Sequence, residues 1–261
     1  MTSGKSESSR SQVATGAELP LRLVAGPGGG YGNTLEGLHA AVEAGANTVE
    51  LDVIWLPDAH LPAEQRHPLV VAHDWEEAQR RRTLLLTEAL DALLEPPLDR
   101  IEVDLDIKLP GREEELVAAL RERDLIGRAM ISTLETYSLA RVRELEPELR
   151  RGWSYPKASR DWPSIRWARL PMLAALRSMR FRLPGLAAQR LPRLGVEAMW
   201  VYHPLVSPRL GRICSLAGVE LIAWKVNDEA RMRELLASGA SGICSSSPEV
   251  LGRLAADSRS R

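Results

Sequence analysis

The residues best suited to chemistry lie on two short acidic stretches, Thr48-Val49-Glu50-Leu51-Asp52-Val53-Ile54 and Ile101-Glu102-Val103-Asp104-Leu105-Asp106-Ile107-Lys108. Both alternate polar with aliphatic residues, so each reads as a strand with its charges on one face and its apolar side chains on the other. Glu50 and Asp52 share a face of the first; Glu102, Asp104, Asp106 and Lys108 share a face of the second. Carboxylates side by side on an apolar strand repel one another and lose hydration unless a cation lies between them. That points to a hard-metal site with oxygen ligands. Taken alone, the first stretch fits a solvent-facing edge strand equally well.

The rest of the chain supplies the elements that must position these groups. At 261 residues it can hold one α/β barrel or two small domains. Leu21–Ala25 reads as a first strand and Gly26–Gly32 as a loop. Asn33 is the expected N-cap of a helix to Ala44, with Glu36 completing a capping box and Gly45 as the stop. After the first acidic strand, Pro57, Pro62 and Pro68 exclude a helix. The chain is expected to leave the rim after Asp52 and return to it at His73. Strands then follow at Arg100–Lys108, Ala129–Thr133, Arg151–Tyr155, Ala198–Tyr202, Glu220–Val226 and Ser241–Ser245. Helices are expected at Thr87–Leu94, Glu113–Asp124, Tyr137–Leu145, Pro208–Ala217 and Asp228–Ser238, with a short one from Pro248. Residues 161–191 read as helix in pieces, broken at Pro163, Pro171 and Pro184. Eight core strands, each followed by a helix or its equivalent, predict a (β/α)8 TIM barrel with a β excursion after the second strand. A single domain over 20–255 is expected between a disordered polar leader, 1–19, and a frayed tail, 256–261. In such barrels chemistry sits where strands end, as Asp52, Asp106 and Lys108 do.

Composition narrows the function classes. Hydrophobic content of 44% and charged content of 26% suit a soluble globular chain, and no apolar run reaches the roughly 18 residues of a spanning helix. Cys214 and Cys244 form no CxxC or Cys/His spacing, which argues against a disulfide framework and a zinc site and for a reducing, cytoplasmic setting. The net charge is −1, yet residues 150–193 carry ten arginines and one lysine against the single Asp161. Interleaved with Trp153, Trp162 and Trp167, this segment has two readings. It fits an anionic membrane surface, or a barrel helix whose arginines stay in water. No DNA- or RNA-binding module accompanies the charge, so no nucleic acid partner is expected.

Several of these residues together resemble the glycerophosphodiester phosphodiesterases, TIM-barrel enzymes that hydrolyse deacylated phospholipids to an alcohol and glycerol 3-phosphate. The resemblance runs from about Leu21 to Leu251. It rests on Val49-Glu50-Leu51-Asp52-Val53, on His73-Asp74, on Asp106-Ile107-Lys108 where the family has Glu-Ile-Lys, on Asn33-Thr34, and on Trp224-Lys225-Val226-Asn227-Asp228. It implies that Glu50, Asp52 and Asp106 hold one divalent cation, Mg²⁺ or Ca²⁺, with Asp104 available to help the shorter Asp106. Lys108 would then lie near the phosphate of a small phosphodiester substrate, His73 would act as general acid or base, and Trp224 would contact substrate. The chain also departs from the family. Gly26-Pro27-Gly28 stands where the family has His-Arg-Gly, Gly32 replaces a Glu, and Ser245-Ser246-Ser247-Pro248 replaces Thr-Asp-x-Pro. One catalytic histidine of two is thus expected to be missing. Backbone N–H groups of Gly28, Gly29 and Gly30 could cradle a phosphate instead, or simply form a supple loop. His203 could supply the proton relay, or be a surface histidine with a hydrogen bond. His39, His60 and His67 receive no role. The alternative to an enzyme of impaired activity is a silent barrel that binds a phosphorylated ligand or an anionic lipid surface.

Overall fold

The computed structural model describes residues 21–28, 32–58, 60–80, 82–157 and 169–259. In chain order the strands are β1 (Arg22–Ala25), β2 (Thr48–Ile54), β3 (Val70–Val71), β4 (Leu84–Leu85), β5 (Glu102–Ile107), β6 (Ala129–Thr133), β7 (Arg150–Tyr155), β8 (Ala198–Tyr202), β9 (Glu220–Trp224) and β10 (Gly242–Ser245). The helices are α1 (Leu35–Glu43), α2 (Trp75–Arg80), α3 (Leu86–Ala92), α4 (Glu113–Arg121), α5 (Thr136–Leu145), α6 (Arg169–Leu194), α7 (Pro208–Leu216), α8 (Glu229–Ala237) and α9 (Pro248–Arg259).

Strands β1, β2 and β5 to β10 run parallel in the spatial order β1-β10-β9-β8-β7-β6-β5-β2, and β2 pairs back onto β1 through Val24↔Thr48 and Ala25↔Val49. The sheet is therefore a closed eight-stranded parallel barrel with helices between its strands, the (β/α)8 architecture. Alternation divides its apolar residues into two cores. Val49, Leu51, Val53, Val103, Leu105, Ile107, Met199 and Val201 face outward under the helices. Val24, Met130, Ala198, Trp200, Ile222 and Cys244 fill the interior. The N-terminal floor is sealed by charge: Arg22 bonds Glu220 at 2.6 Å and Glu102 at 2.5 Å, and Arg150 reaches the same two carboxylates at 2.7 and 2.6 Å. Two cations and two anions satisfy one another there, as buried charges must.

The excursion after β2 returns as expected: β3 pairs antiparallel with β2 (Val53↔Val71) and β4 antiparallel with β3. Arg112, 4% exposed, ties it down. Its guanidinium donates to the His67 carbonyl at 2.6 Å and to Asp58 at 3.4 Å, and also pairs with Glu115. His67 is occupied as a second donor to Asp58, at 3.1 Å.

Four local expectations need correction. Thr34 caps α1, accepting from the Gly37 amide at 3.1 Å, so Asn33 lies outside the helix and turns inward. Trp75–Arg80, where the sequence pattern predicts no element, is a short helix started by Asp74, which accepts from the Glu77 amide at 2.8 Å. Helix α6 is continuous through Pro171 and Pro184 rather than broken: Pro171 falls in its first turn, where no intrahelical donor is lost, and at Pro184 the burial of Leu183, Ala187 and Leu191 on one side offsets the proline penalty of about 3 kcal/mol. Helix α9 continues to Arg259, past Ala256 where fraying was expected. The leader and Pro163 lie outside the described residues, and among these no helix is long and apolar enough to cross a membrane.

Candidate active site

The register β2 to β5 pairs Glu50 with Asp104 and Asp52 with Asp106, so four inward carboxylates stand on two adjacent strands in two layers. Oxygens of Glu50, Asp52 and Asp106 all lie within 4.8 Å of one another. Burial pushes Glu50 up to about 8, with the charges of Asp52 and Asp106 adding to it. Burial likewise raises Asp106, while the Lys108 ammonium opposes the rise. Three hard oxygen donors that repel one another this strongly suit a divalent cation such as Mg²⁺ or Ca²⁺. Asp104 is outside this group. It is fully buried, accepts from the Ser132 hydroxyl at 2.6 Å, and is raised well above the carboxylate range by burial and by Glu50.

Lys108 follows β5 and bridges the two upper carboxylates: its ammonium lies 2.5 Å from Asp52 Oδ1 and also bonds Asp106. Burial disfavours that charge, but Asp106, Asp52 and Glu50 outweigh it and hold Lys108 protonated well beyond its ordinary range. Asp52, 1% exposed, is clamped by Asn33. The Asn33 Nδ2 donates to Asp52 Oδ2 at 3.2 Å, and its Oδ1 accepts from the Asp52 amide at 3.2 Å. This is why Asn33 is not the helix cap: a buried carboxylate claims it.

His73 stands at the same rim, after β3. Its Nδ1 lies 3.1 Å from Asp74 Oδ2, its amide donates to Glu77 at 2.7 Å, and its ring is largely exposed. His203 opens a short 3₁₀ turn after β8 at the same barrel end. It is held by α8: Arg231 Nε donates to its Nδ1 at 3.2 Å and an Arg231 NH group to its carbonyl at 2.7 Å. Burial and the Arg231 charge lower His203 to about 4. Neutral imidazole with Nδ1 already accepting is the hydrogen-bonding reading of this residue.

Trp224 ends β9 and lies beside Tyr202 of β8, ring centroids 4.9 Å apart, so the two form an aromatic wall at the mouth. Gly28, with φ +104°, is exposed in the loop after β1; Gly29 and Gly30 fall outside the described residues. At Gly26 the interior is already filled. A Cβ there would lie 2.6 Å from Cys244 Sγ and 3.1 Å from Glu50 Oε2, and the Cys244 thiol donates to Glu50 Oε2 at 3.0 Å.

The structure brings Glu50, Asp52, Asp106 and Lys108 together, as the strand pattern expects, and sets beside them three neighbours to which the sequence assigned no place in the site. Tyr202 could have been found from its place at the end of an inward-facing strand, next to Trp224 in the barrel order. Cys244 and the inward turn of Asn33 left no signal, since a cysteine among aliphatics reads as core and an asparagine before a helix reads as a cap.

No family model matches the chain. A curated relative, the glycerophosphodiester phosphodiesterase of Caldanaerobacter subterraneus subsp. tengcongensis, is 26% identical over 246 residues, covering 84% of this chain and 90% of that protein. Among solved structures, an Oleispira antarctica phosphodiesterase in complex with the product sn-glycerol-3-phosphate superimposes with a TM-score of 0.64 at 20% identity, covering 92% of this chain and 97% of the other. A glycerophosphodiester phosphodiesterase of Parabacteroides distasonis gives 0.67 at 17% identity, covering 92% and 100%. The chain thus resembles glycerophosphodiester phosphodiesterases over most of its length, and the TIM-barrel fold is shared.

Proposed function

We propose that this chain is a divalent-cation-dependent phosphoric diester hydrolase of the glycerophosphodiester phosphodiesterase type, converting a small glycerophosphodiester and water to an alcohol and glycerol 3-phosphate. The observation that carries the reading is the convergence of Glu50, Asp52 and Asp106 within 4.8 Å at the end of the barrel where Lys108 also stands. The two sequence features needed for it, an acidic strand face and a lysine two residues beyond Asp106, are those on which the family resemblance rests.

Glu50, Asp52 and Asp106 would hold the cation, which when bound supplies positive charge to the phosphoryl oxygens. Each residue has a separate task. Asn33 keeps Asp52 facing inward by its paired hydrogen bonds. Lys108, anchored between Asp52 and Asp106, adds a fixed ammonium for charge that develops on phosphorus-bound oxygen. His73 moves the proton: Asp74 beside Nδ1 favours a proton on that nitrogen and leaves Nε2 for the substrate or water. Trp224 and Tyr202 offer apolar faces to the carbon skeleton. His203 serves to orient Arg231 rather than to relay protons.

One observation favours a second reading, a slow or silent barrel that binds a phosphorylated ligand. Position 26 has no side chain, and Cys244 fills the adjoining space. The test is release of glycerol 3-phosphate from glycerophosphodiesters by purified protein, with Mg²⁺ or Ca²⁺ and with chelator. Cation-dependent turnover lost in Asp52→Ala supports the enzyme. Ligand binding and cation binding without turnover support the second reading. Independently of turnover, cation at about 100 times its Kd should stabilise the fold by about 2.7 kcal/mol, and Asp106→Asn should weaken that gain.

A further inference from the structure

Helix α6 has 26 residues, about 39 Å at 1.5 Å per residue. Its second half is the barrel helix, with Leu183, Ala187 and Leu191 buried at i, i+4 and i+8. Its first half is different. From Met172 to Arg182 no residue is buried, and Leu176 and Met179 are only partly covered. Arg180 donates to the Pro204 carbonyl at 3.5 Å, just beyond the end of β8, so α6 crosses the rim at that level. Because α6 leads into the start of β8, everything before Arg180 lies on the side where β8 ends. That is the face on which Lys108, His73 and Trp224 open.

The structure also divides the basic segment. Arg150 belongs to the barrel floor, and Arg151 pairs with Glu197 at 2.9 Å. Arg190 stacks over the buried Trp153, 5.7 Å from its ring centroid. Arg160 and Arg166 are outside the described residues. Arg193 lies in the last turn of α6, and the side chain of Arg169 is outside the described residues. The projecting half of α6 carries Arg180, which reaches Pro204, and the exposed Arg177 and Arg182 beside Leu173 and Phe181, 50% and 78% exposed. Phe181 is the single phenylalanine of the chain, and α6 carries six arginines and no acid. Among the described residues Arg177 and Arg182 have no ion pair.

We propose that the projecting half of α6 is a docking surface for an anionic lipid bilayer. Leu173 and Phe181 would enter the interface at the headgroup–acyl boundary while the exposed Arg177 and Arg182 meet lipid phosphates, which is how a cationic interfacial helix binds. The charge selects an anionic surface, and the exposed phenylalanine and leucine select a lipid over a duplex, whose phosphates offer them no apolar bed. Docked in this way, the barrel presents its open end toward the membrane. The inference does not depend on the hydrolase reading, since binding is measured without turnover.

The experiment is co-sedimentation of the full chain with vesicles of phosphatidylcholine alone or mixed with phosphatidylglycerol, at near-physiological salt. Binding is expected only to the mixed vesicles. R177Q/R182Q should weaken it by about 25-fold, from roughly fivefold per arginine near an anionic surface, and F181S should weaken it further. These side chains are exposed, so the variants should fold with the circular dichroism of the parent chain. Release of glycerol 3-phosphate from a soluble diester by the variants should match that of the parent chain. No binding to the mixed vesicles, equal binding by R177Q/R182Q/F181S, or equally tight binding to a short DNA duplex would overturn the proposal.

Discussion

Gly26→His combined with Cys244→Ala should raise the rate of glycerophosphodiester hydrolysis by about 10² or more, the lower bound of what one positioned acid or base contributes. Gly26 does not occupy the left-handed region, so its backbone accepts a side chain. The obstacle is steric: the new Cβ would sit 2.6 Å from Cys244 Sγ and 3.1 Å from Glu50 Oε2. Cys244 is 4% exposed among Val24, Met130 and Ile222, so turning its thiol away breaks the bond to Glu50 and overpacks the interior. Losing that bond costs on the order of 1 kcal/mol, and overpacking about 1 to 3 kcal/mol. Gly26→His alone should therefore unfold at a lower temperature than the double variant and gain less activity. Removing Sγ frees the space, and a 10²-fold gain corresponds to about 2.7 kcal/mol off the barrier. The assay is cation-dependent release of glycerol 3-phosphate across pH, in parallel with thermal unfolding. The gain should bring a new ionisation near that of a histidine, about 6.5. A folded double variant with an unchanged rate would refute the idea that an absent acid or base limits this site. A single variant as stable and as active as the double would refute the steric argument.

Two further outcomes are expected. His203 titrates at about 4 in the fold, below its ordinary 6.5, so the unfolded chain takes up the proton first. Its contribution to stability is complete above about 6.5 and is lost as pH falls toward 4. Wild type should therefore lose more thermal stability between pH 7 and 4.5 than His203→Gln, and equal losses would mean that burial and Arg231 do not disfavour the charged ring as described. Arg112→Ala removes the buried guanidinium that joins Asp58, Glu115 and the His67 carbonyl, while Arg66 still pairs with Glu115, and should destabilise the chain by about 1.5 to 3 kcal/mol in urea unfolding. A loss under about 1 kcal/mol would show that the excursion after β2 is held by other contacts.

Local patterns were legible wherever one residue's neighbours in sequence are also its neighbours in space. Period-two alternation placed Glu50 and Asp52 on one face and Asp106 and Lys108 on another, and eight strand–helix units implied closure into a barrel. Glycine and proline were less decisive. Gly45, at φ +82°, ended α1 as expected, but Pro184 did not break α6, because the packing of a helix face outweighs one missing hydrogen bond. Asn33 and Thr34 are comparable caps by propensity, and the choice between them fell to the needs of Asp52, nineteen positions away.

The acidic faces were determined by sequence alone, because strand periodicity is a property of the backbone. Tertiary structure alone decided what stands around them. The pairing of Asp52 with Asp106 depends on the register of β2 against β5. The filling of position 26 by Cys244 depends on β10 closing against β1, which brings together residues from opposite ends of the chain. Such contacts are set by the closure and shear of the barrel, and no local pattern carries that information.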